Sequence, residues 1–461
     1  MSHVKKEFYR REYEKCKIKC HDAARIMIIA SISVFAGGAK EGTGQGDNAN
    51  GADEVMTLQM FYPVQVGGPL TKLVEKIADD FHKVNPNIIV EPIYTGNYDD
   101  TVVKIQTAIQ GNTPPDFFLS LATQRFSLAS SDSVISLDDL IAQDGGDEYI
   151  NDFLPGFMED SFVDGKIWSI PFQRSTQIIY YNKDAFKEVG LDPDSPPKTW
   201  AELLDYSQKL TKKDADGNVV RWGVGLAQQS GSAQWQFTGF CLENSVNGEN
   251  LMSDDGKKVF FNTPENVEAL QFQIDLQQKY EVMPKGIVQW TELPGAFLEG
   301  NYGIIYHTTG NLTNISKNAS FEFGTGFMPG NKRYGAPTGG GNFYITKGVS
   351  AERQKAAWKF IRFATTPERL AQWNVDTGYV APRASSFDTA IMKNYYENLP
   401  QAGVAKEQLK YAKPELTTYD SARIWRIFND NYQAAIIGDL SPKAALDKAQ
   451  KEATKVLERF Q

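Results

Sequence analysis

Met56–Tyr62 (MTLQMFY) alternates in the two-residue period of a strand, and Leu70, Leu73, Val74, Ile77, Phe81 and Val84 then recur at helical spacing until Asn85-Pro86 stops the run. Ile88, Ile89 and Val90 predict the next strand. Val102, Ile105 and Ile109 predict a second helix ended by Gly111, and Phe117, Phe118 and Leu119 a third short strand. This β-α-β-α-β order predicts an α/β fold with a mostly parallel sheet and helices on both faces. Ligands of such sheets bind beyond the carboxyl ends of the strands, which by topology alone directs attention to Tyr62, Tyr98 and Ser120.

The pattern continues to the end of the chain. Ile170-Pro171-Phe172 opens a second block, followed by an apolar strand at Ile178, Ile179, Tyr180 and Tyr181 and by helices over 200–210 and 264–280. Thr338-Gly339-Gly340-Gly341 reads as a flexible turn before a strand at Phe343, Tyr344 and Ile345, and 356–364 as a helix. Ser441-Pro442 places an N-cap before a proline at the first helical position, and Ala445, Leu446, Ala449, Ala453, Val456 and Leu457 form the apolar face of the last helix. With 461 residues the chain exceeds the roughly 250–300 at which a single core stops growing, so two domains are expected.

Residues 1–25 carry eight Lys/Arg against four Asp/Glu and precede an apolar run from Ile26 to Ala36. The run is shorter than the roughly 20 residues that cross a bilayer and ends in small residues, with Val34 and Ala36 in the −3 and −1 places of a cleavage site. A secretory leader over 1–36 is expected, then a flexible Gly/Asn/Thr-rich tether over 37–54. Cys16 and Cys20 would leave with the leader, and Cys241 would stay alone. Three cysteines exclude a disulfide framework, and a formal charge of −9 argues against nucleic acid as a partner.

Catalytic signatures are missing. The chain has no Gly-x-Ser-x-Gly elbow, Walker A loop or His-Glu-x-x-His pair. Asp214, Asp216 and Asn218 imitate the start of a calcium loop, but the glycine stands at 217 and the twelfth position carries no Glu, so a hairpin turn before Val219 is the better reading. Four histidines leave little for a metal centre. His82 reads as solvated on a helix and His307 as a satisfied core residue. An exported, aromatic-rich two-domain α/β chain with polar loops suits a binding protein, because sugar and polyol sites combine aromatic faces with amides and hydroxyls.

The segment Ile170–Phe186 (IPFQRSTQIIYYNKDAF), with Gly190-Leu191-Asp192-Pro193 and Pro196–Trp200 (PPKTW), resembles the extracellular solute-binding proteins of carbohydrate ABC importers, within them the glycerol-3-phosphate-binding branch. Further matches run in family order: Gly96-Asn97-Tyr98, Gly111–Pro114, Thr309–Leu312, Gly339-Gly340, Thr377-Gly378-Tyr379 and the Ser441-Pro442 helix. The resemblance implies a two-lobed, maltose-binding-protein-like periplasmic-binding-protein fold of type II, closing on a ligand in a cleft between lobes and delivering it to a membrane permease. It implies lobe one over 55–170 and 325–372 and lobe two over 171–324 and 373–461. A periplasmic or extracellular monomer without enzyme activity or cofactor is expected, with a carbohydrate or polyol phosphate as ligand.

Carried onto this sequence, the branch's ligand residues fall at Tyr98, Ser175, Thr308, Gly340 and Tyr379. Arg174 and Trp235 join them, Trp235 as a stacking residue on a cleft loop, and Arg423 is the nearest candidate for the branch's phosphate-binding arginine. A ligand-binding Glu of the branch falls at Leu121, which counts against glycerol 3-phosphate itself. Each residue also has a structural reading: Tyr98 as a helix start, Ser175 and Thr308 as loop hydroxyls, Gly340 as a positive-φ turn, Tyr379 and Trp235 as core aromatics, Arg174 and Arg423 as ion-pair partners. The competing function is a secreted glycan-active enzyme.

Overall fold

The computed structural model describes residues 55–461. The expected leader (1–36) and tether (37–54) lie outside those residues. Twelve strands occur among them: β1 (Met56–Tyr62), β2 (Ile88–Tyr94), β3 (Phe117–Leu121), β4 (Phe162–Val163), β5 (Lys166–Ile167), β6 (Ile170–Asn182), β7 (Lys212–Lys213), β8 (Val219–Gly225), β9 (Tyr302–Thr308), β10 (Phe323–Gly326), β11 (Ala336–Ile345) and β12 (Ala412–Lys413). Ten form one sheet in the order β2-β1-β3-β11-β6-β9-β8-β7, with β10 also on β6 and β12 on β11. The opening β-α-β-α-β unit is as the sequence predicts: β1 lies parallel to both β2 and β3. Helix Leu70–Val84 buries Leu70, Val74, Ala78 and Phe81, one apolar stripe at spacings of four, four and three. Phe81 meets Phe360 and Phe363 edge-on at 5.3 and 5.4 Å, tying that helix to Ala351–Ala364.

β6 joins the two halves of the sheet. All thirteen of its residues are buried. Its first half pairs antiparallel with β11 and its second half with β9, so one strand passes from the β1–β3 side to the β8–β9 side. β11 runs alongside it, and Val380 donates its backbone N–H to the Arg174 carbonyl at 2.7 Å as a third crossing segment. This is the two-lobed architecture the resemblance implies.

Several local expectations hold. Asp214 accepts backbone N–H groups from Asp216 and Asn218 in a turn between β7 and β8. Ser441 caps the last helix through Ala444 N–H, and its six predicted apolar residues are all buried. The glycine run is a correction. Residues 338–341 are not a turn but the interior of β11, with a bulge between Gly341 and Asn342. Gly340 has φ +93°, and a Cβ there would stand 2.0 Å from the Gln173 carbonyl oxygen, so only glycine lets the two crossing strands approach. His82 is not simply solvated, since its Nδ1 lies 2.9 Å from the Ile88 carbonyl.

Candidate functional site

Strand periodicity decides what β6 offers on each side. Gln173 and Ser175 project to one face and Arg174 and Thr176 to the other. On the first face lies a cavity of about 120 Å³. Gln173 Nε2 donates to the Tyr98 hydroxyl at 2.9 Å and the Tyr379 hydroxyl at 3.0 Å. One amide thus fixes two phenols that both line the cavity, each oxygen accepting from it. Burial pushes both phenol pKa values well above the ordinary range, so they stay donors. Tyr98 is placed by its helix start: Asn97 and Asp100 form a reciprocal capping box that fixes Tyr98 as the first helical residue.

Ser175 lines the cavity, and its hydroxyl has no hydrogen-bond partner among the described residues. Thr308 also lines it, its oxygen accepting Gly310 N–H at 3.2 Å, so its cap role and its access to the cavity coexist. Gly340 contributes backbone.

Three indoles supply apolar faces. Trp235 is in the first turn of helix Ala233–Asn244, not on a loop as expected, because the polar stretch before it ends in the Ser232 cap position. Its Nε1 donates to the Thr338 carbonyl at 2.9 Å, and its ring packs on Gly339, where a Cβ would be 2.8 Å away. Trp290 meets Trp235 edge-on at 5.6 Å and stacks on His307 at 3.8 Å. Trp425 anchors its Nε1 on the Leu416 carbonyl at 2.9 Å. Trp235 is therefore both wall and packing element. We expect Trp235→Ala to lower the unfolding free energy by about 3 kcal/mol and to weaken ligand binding as well. Denaturant melts beside calorimetric titration check both, and unchanged affinity would remove it from the site.

Two candidates stay outside. Arg174 faces away from the cavity, fully buried, its guanidinium on Asp160 and on Asn342 Oδ1 at 3.1 Å. Arg423 is exposed on helix Ser421–Ile436. Two residues on a helix are about 200° apart, so as Trp425 turns inward Arg423 turns out. Of the three residues marked by topology, only Tyr98 reaches the cavity; Tyr62 and Ser120 are buried elsewhere. Leu121, in place of the branch's Glu, does line it. Sequence reading missed Gln173, Gln65, Trp290, Glu415 and Trp425. The alternation along β6 was the one available signal, and it applies to Gln173.

No Lys, Arg or His lines this cavity among the described residues, whereas Asp99 and Glu415 do. A polar pocket with aromatic walls, set beside strands that cross between two lobes, defines a receptor for a small solute. The chain belongs to the bacterial extracellular solute-binding protein family, whose signature matches residues 76–401. It is 28% identical over 425 residues to the sn-glycerol-3-phosphate-binding periplasmic protein UgpB of Shigella flexneri serotype 5b, covering 89% of this chain and 94% of that one. Its structure resembles UgpB from Mycobacterium tuberculosis in complex with glycerophosphocholine, with TM-score 0.76, 25% identity and coverage of 89% and 100%. The maltotriose-bound MalE domain of Bdellovibrio bacteriovorus shares the fold at TM-score 0.74 and 21% identity, covering 87% and 100%.

Proposed function

We propose that this chain is the extracytoplasmic receptor of an ABC importer and that its ligand is a small polyol without net negative charge, a neutral sugar or a zwitterionic glycerophosphodiester. The lining carries this reading: three indoles, hydroxyls and amides, two carboxyls and no cationic side chain. A phosphate monoester buried there would lose its hydration with no opposite charge to replace it. A volume of about 120 Å³, against the roughly 300–1,000 Å³ of drug-sized pockets, favours a small ligand.

Tyr98, Ser175, Trp235, Thr308, Gly340 and Tyr379 are its contacts in this reading, and Arg174 and Arg423 are not. The lobes divide at 55–170 with 325–372 and 171–324 with 373–461, and the protein acts as an exported monomer that hands its ligand on unchanged to permease subunits. It is not a glycan-active enzyme. Calorimetric titration with glycerophosphocholine, monosaccharides, disaccharides and sn-glycerol 3-phosphate tests the proposal. One of the uncharged or zwitterionic compounds should bind at one to one, remain chemically intact and exceed sn-glycerol 3-phosphate by at least about tenfold in affinity. Tightest binding of sn-glycerol 3-phosphate would overturn the ligand class, and consumption of a sugar would favour the enzyme.

A further inference from the structure

Glu415 lines the cavity and is only 5% exposed. Its carboxyl makes no hydrogen bond and no ion pair among the described residues; only its backbone carbonyl is engaged, accepting from Thr417 Oγ1 at 2.8 Å. A carboxyl at so little exposure without a protein partner is costly when ionised, and the open space it can reach is the cavity it lines. The nearby guanidiniums of Arg125 and Arg174 are already held by Asp160 on the other face of the crossing strands. Glu415 and Asp99 are the two carboxyls that line the cavity, and of them Glu415 is the buried one.

We propose that Glu415 is a ligand-binding residue whose carboxyl hydrogen-bonds a hydroxyl of the bound polyol, and that it is kept for the ligand at the expense of the free protein's stability. The inference rests on the cavity being the ligand site. Burial, reinforced by the like charge of Asp160 and opposed by Arg174 and Arg125, raises the carboxyl's pKa well above the ordinary range. The protonated acid offers one donor and one acceptor, a match for a ligand hydroxyl that can accept and donate, and an amide would preserve that pairing. Tyr98, which lines the same cavity, stays a neutral phenol.

The test compares wild type, Glu415→Gln and Glu415→Leu in two measurements. In thermal melts without ligand, Glu415→Leu should melt several degrees above wild type, because a desolvated carboxyl is removed from the cavity wall. In titrations with the tightest of glycerophosphocholine, glucose and maltose, Glu415→Leu should bind at least about tenfold more weakly, while Glu415→Gln stays within about threefold of wild type. A lower melting temperature in Glu415→Leu would make the residue structural and overturn the proposal. Equal affinity across the three proteins would overturn it too. If wild type binds none of the three probes, the ligand reading fails, and the melts alone still decide whether Glu415 serves the fold.

Discussion

Asp160→Ala should lower the unfolding free energy by about 3–5 kcal/mol, the cost of stranding buried charge. Asp160 is 1% exposed and holds two guanidiniums that are themselves buried, Arg125 at 2.6 Å through one carboxylate oxygen and Arg174 through the other, which also accepts from Thr338 Oγ1 at 3.0 Å. Arg174 belongs to β6 and Thr338 to β11, so a single carboxylate from the turn after helix Pro155–Met158 ties both crossing strands together. Asn342 extends the web to Ser161 and Ser169 at 3.2 and 2.9 Å. Alanine would leave two buried cations without their ion-pair partner in a region closed to water. Asp160→Asn keeps the shape and an acceptor, and should lose less. Urea melts at neutral pH measure the difference, as a shift in midpoint at unchanged slope. A loss below about 1 kcal/mol would mean that the arginines find other partners and that the network does not hold the crossing strands.

The parts legible in the sequence were those whose signal is local. The alternation of Met56–Tyr62, the stripe ending at Phe81, the Asx turn at Asp214 and the Ser441-Pro442 start each report a backbone geometry that neighbouring residues alone can fix. The glycine run at 339–341 misled because its composition suits a turn, whereas its cause is tertiary: the Gln173 carbonyl and the Trp235 ring occupy the space side chains would need. Five residues carried over by the resemblance line the cavity, with Trp235 a sixth, and two candidate arginines point elsewhere. Arg174 fails by strand parity, since its neighbours Gln173 and Ser175 take the cavity face. Trp290, Glu415 and Trp425 carry no local mark at all. They come from segments far apart in the chain and meet only in the folded protein: Trp290 from the loop before helix Leu293–Leu298, Glu415 from just after β12 and Trp425 from helix Ser421–Ile436.

Acid should weaken this protein through His307 in a way that a non-titrating variant escapes. The imidazole is 1% exposed, its Nδ1 accepting from Asn311 Nδ2 at 3.1 Å and its Nε2–H donating to the Trp290 carbonyl at 3.3 Å, so the neutral tautomer satisfies both nitrogens. Burial pulls its pKa down from 6.5 to about 3, only partly offset by the Trp290 carbonyl. The unfolded chain takes up this proton near pH 6.5, and the folded chain refuses it until about pH 3. Stability from this group is therefore complete above pH 6.5 and is lost as pH falls through that window, at up to about 1.4 kcal/mol per pH unit. Between pH 7 and 4 wild type should lose roughly 3 kcal/mol more than His307→Gln, read from urea melts at each pH. Parallel curves for the two proteins would show that His307 is solvated or protonates in place. The consequence reaches the cavity, because His307 is the ring on which Trp290 stacks: protonation removes the acceptor for Asn311 and places a charge against the indole's support. Ligand affinity should therefore hold between pH 7 and 4, where the folded ring stays neutral, and fall only as pH approaches about 3, less so in His307→Gln.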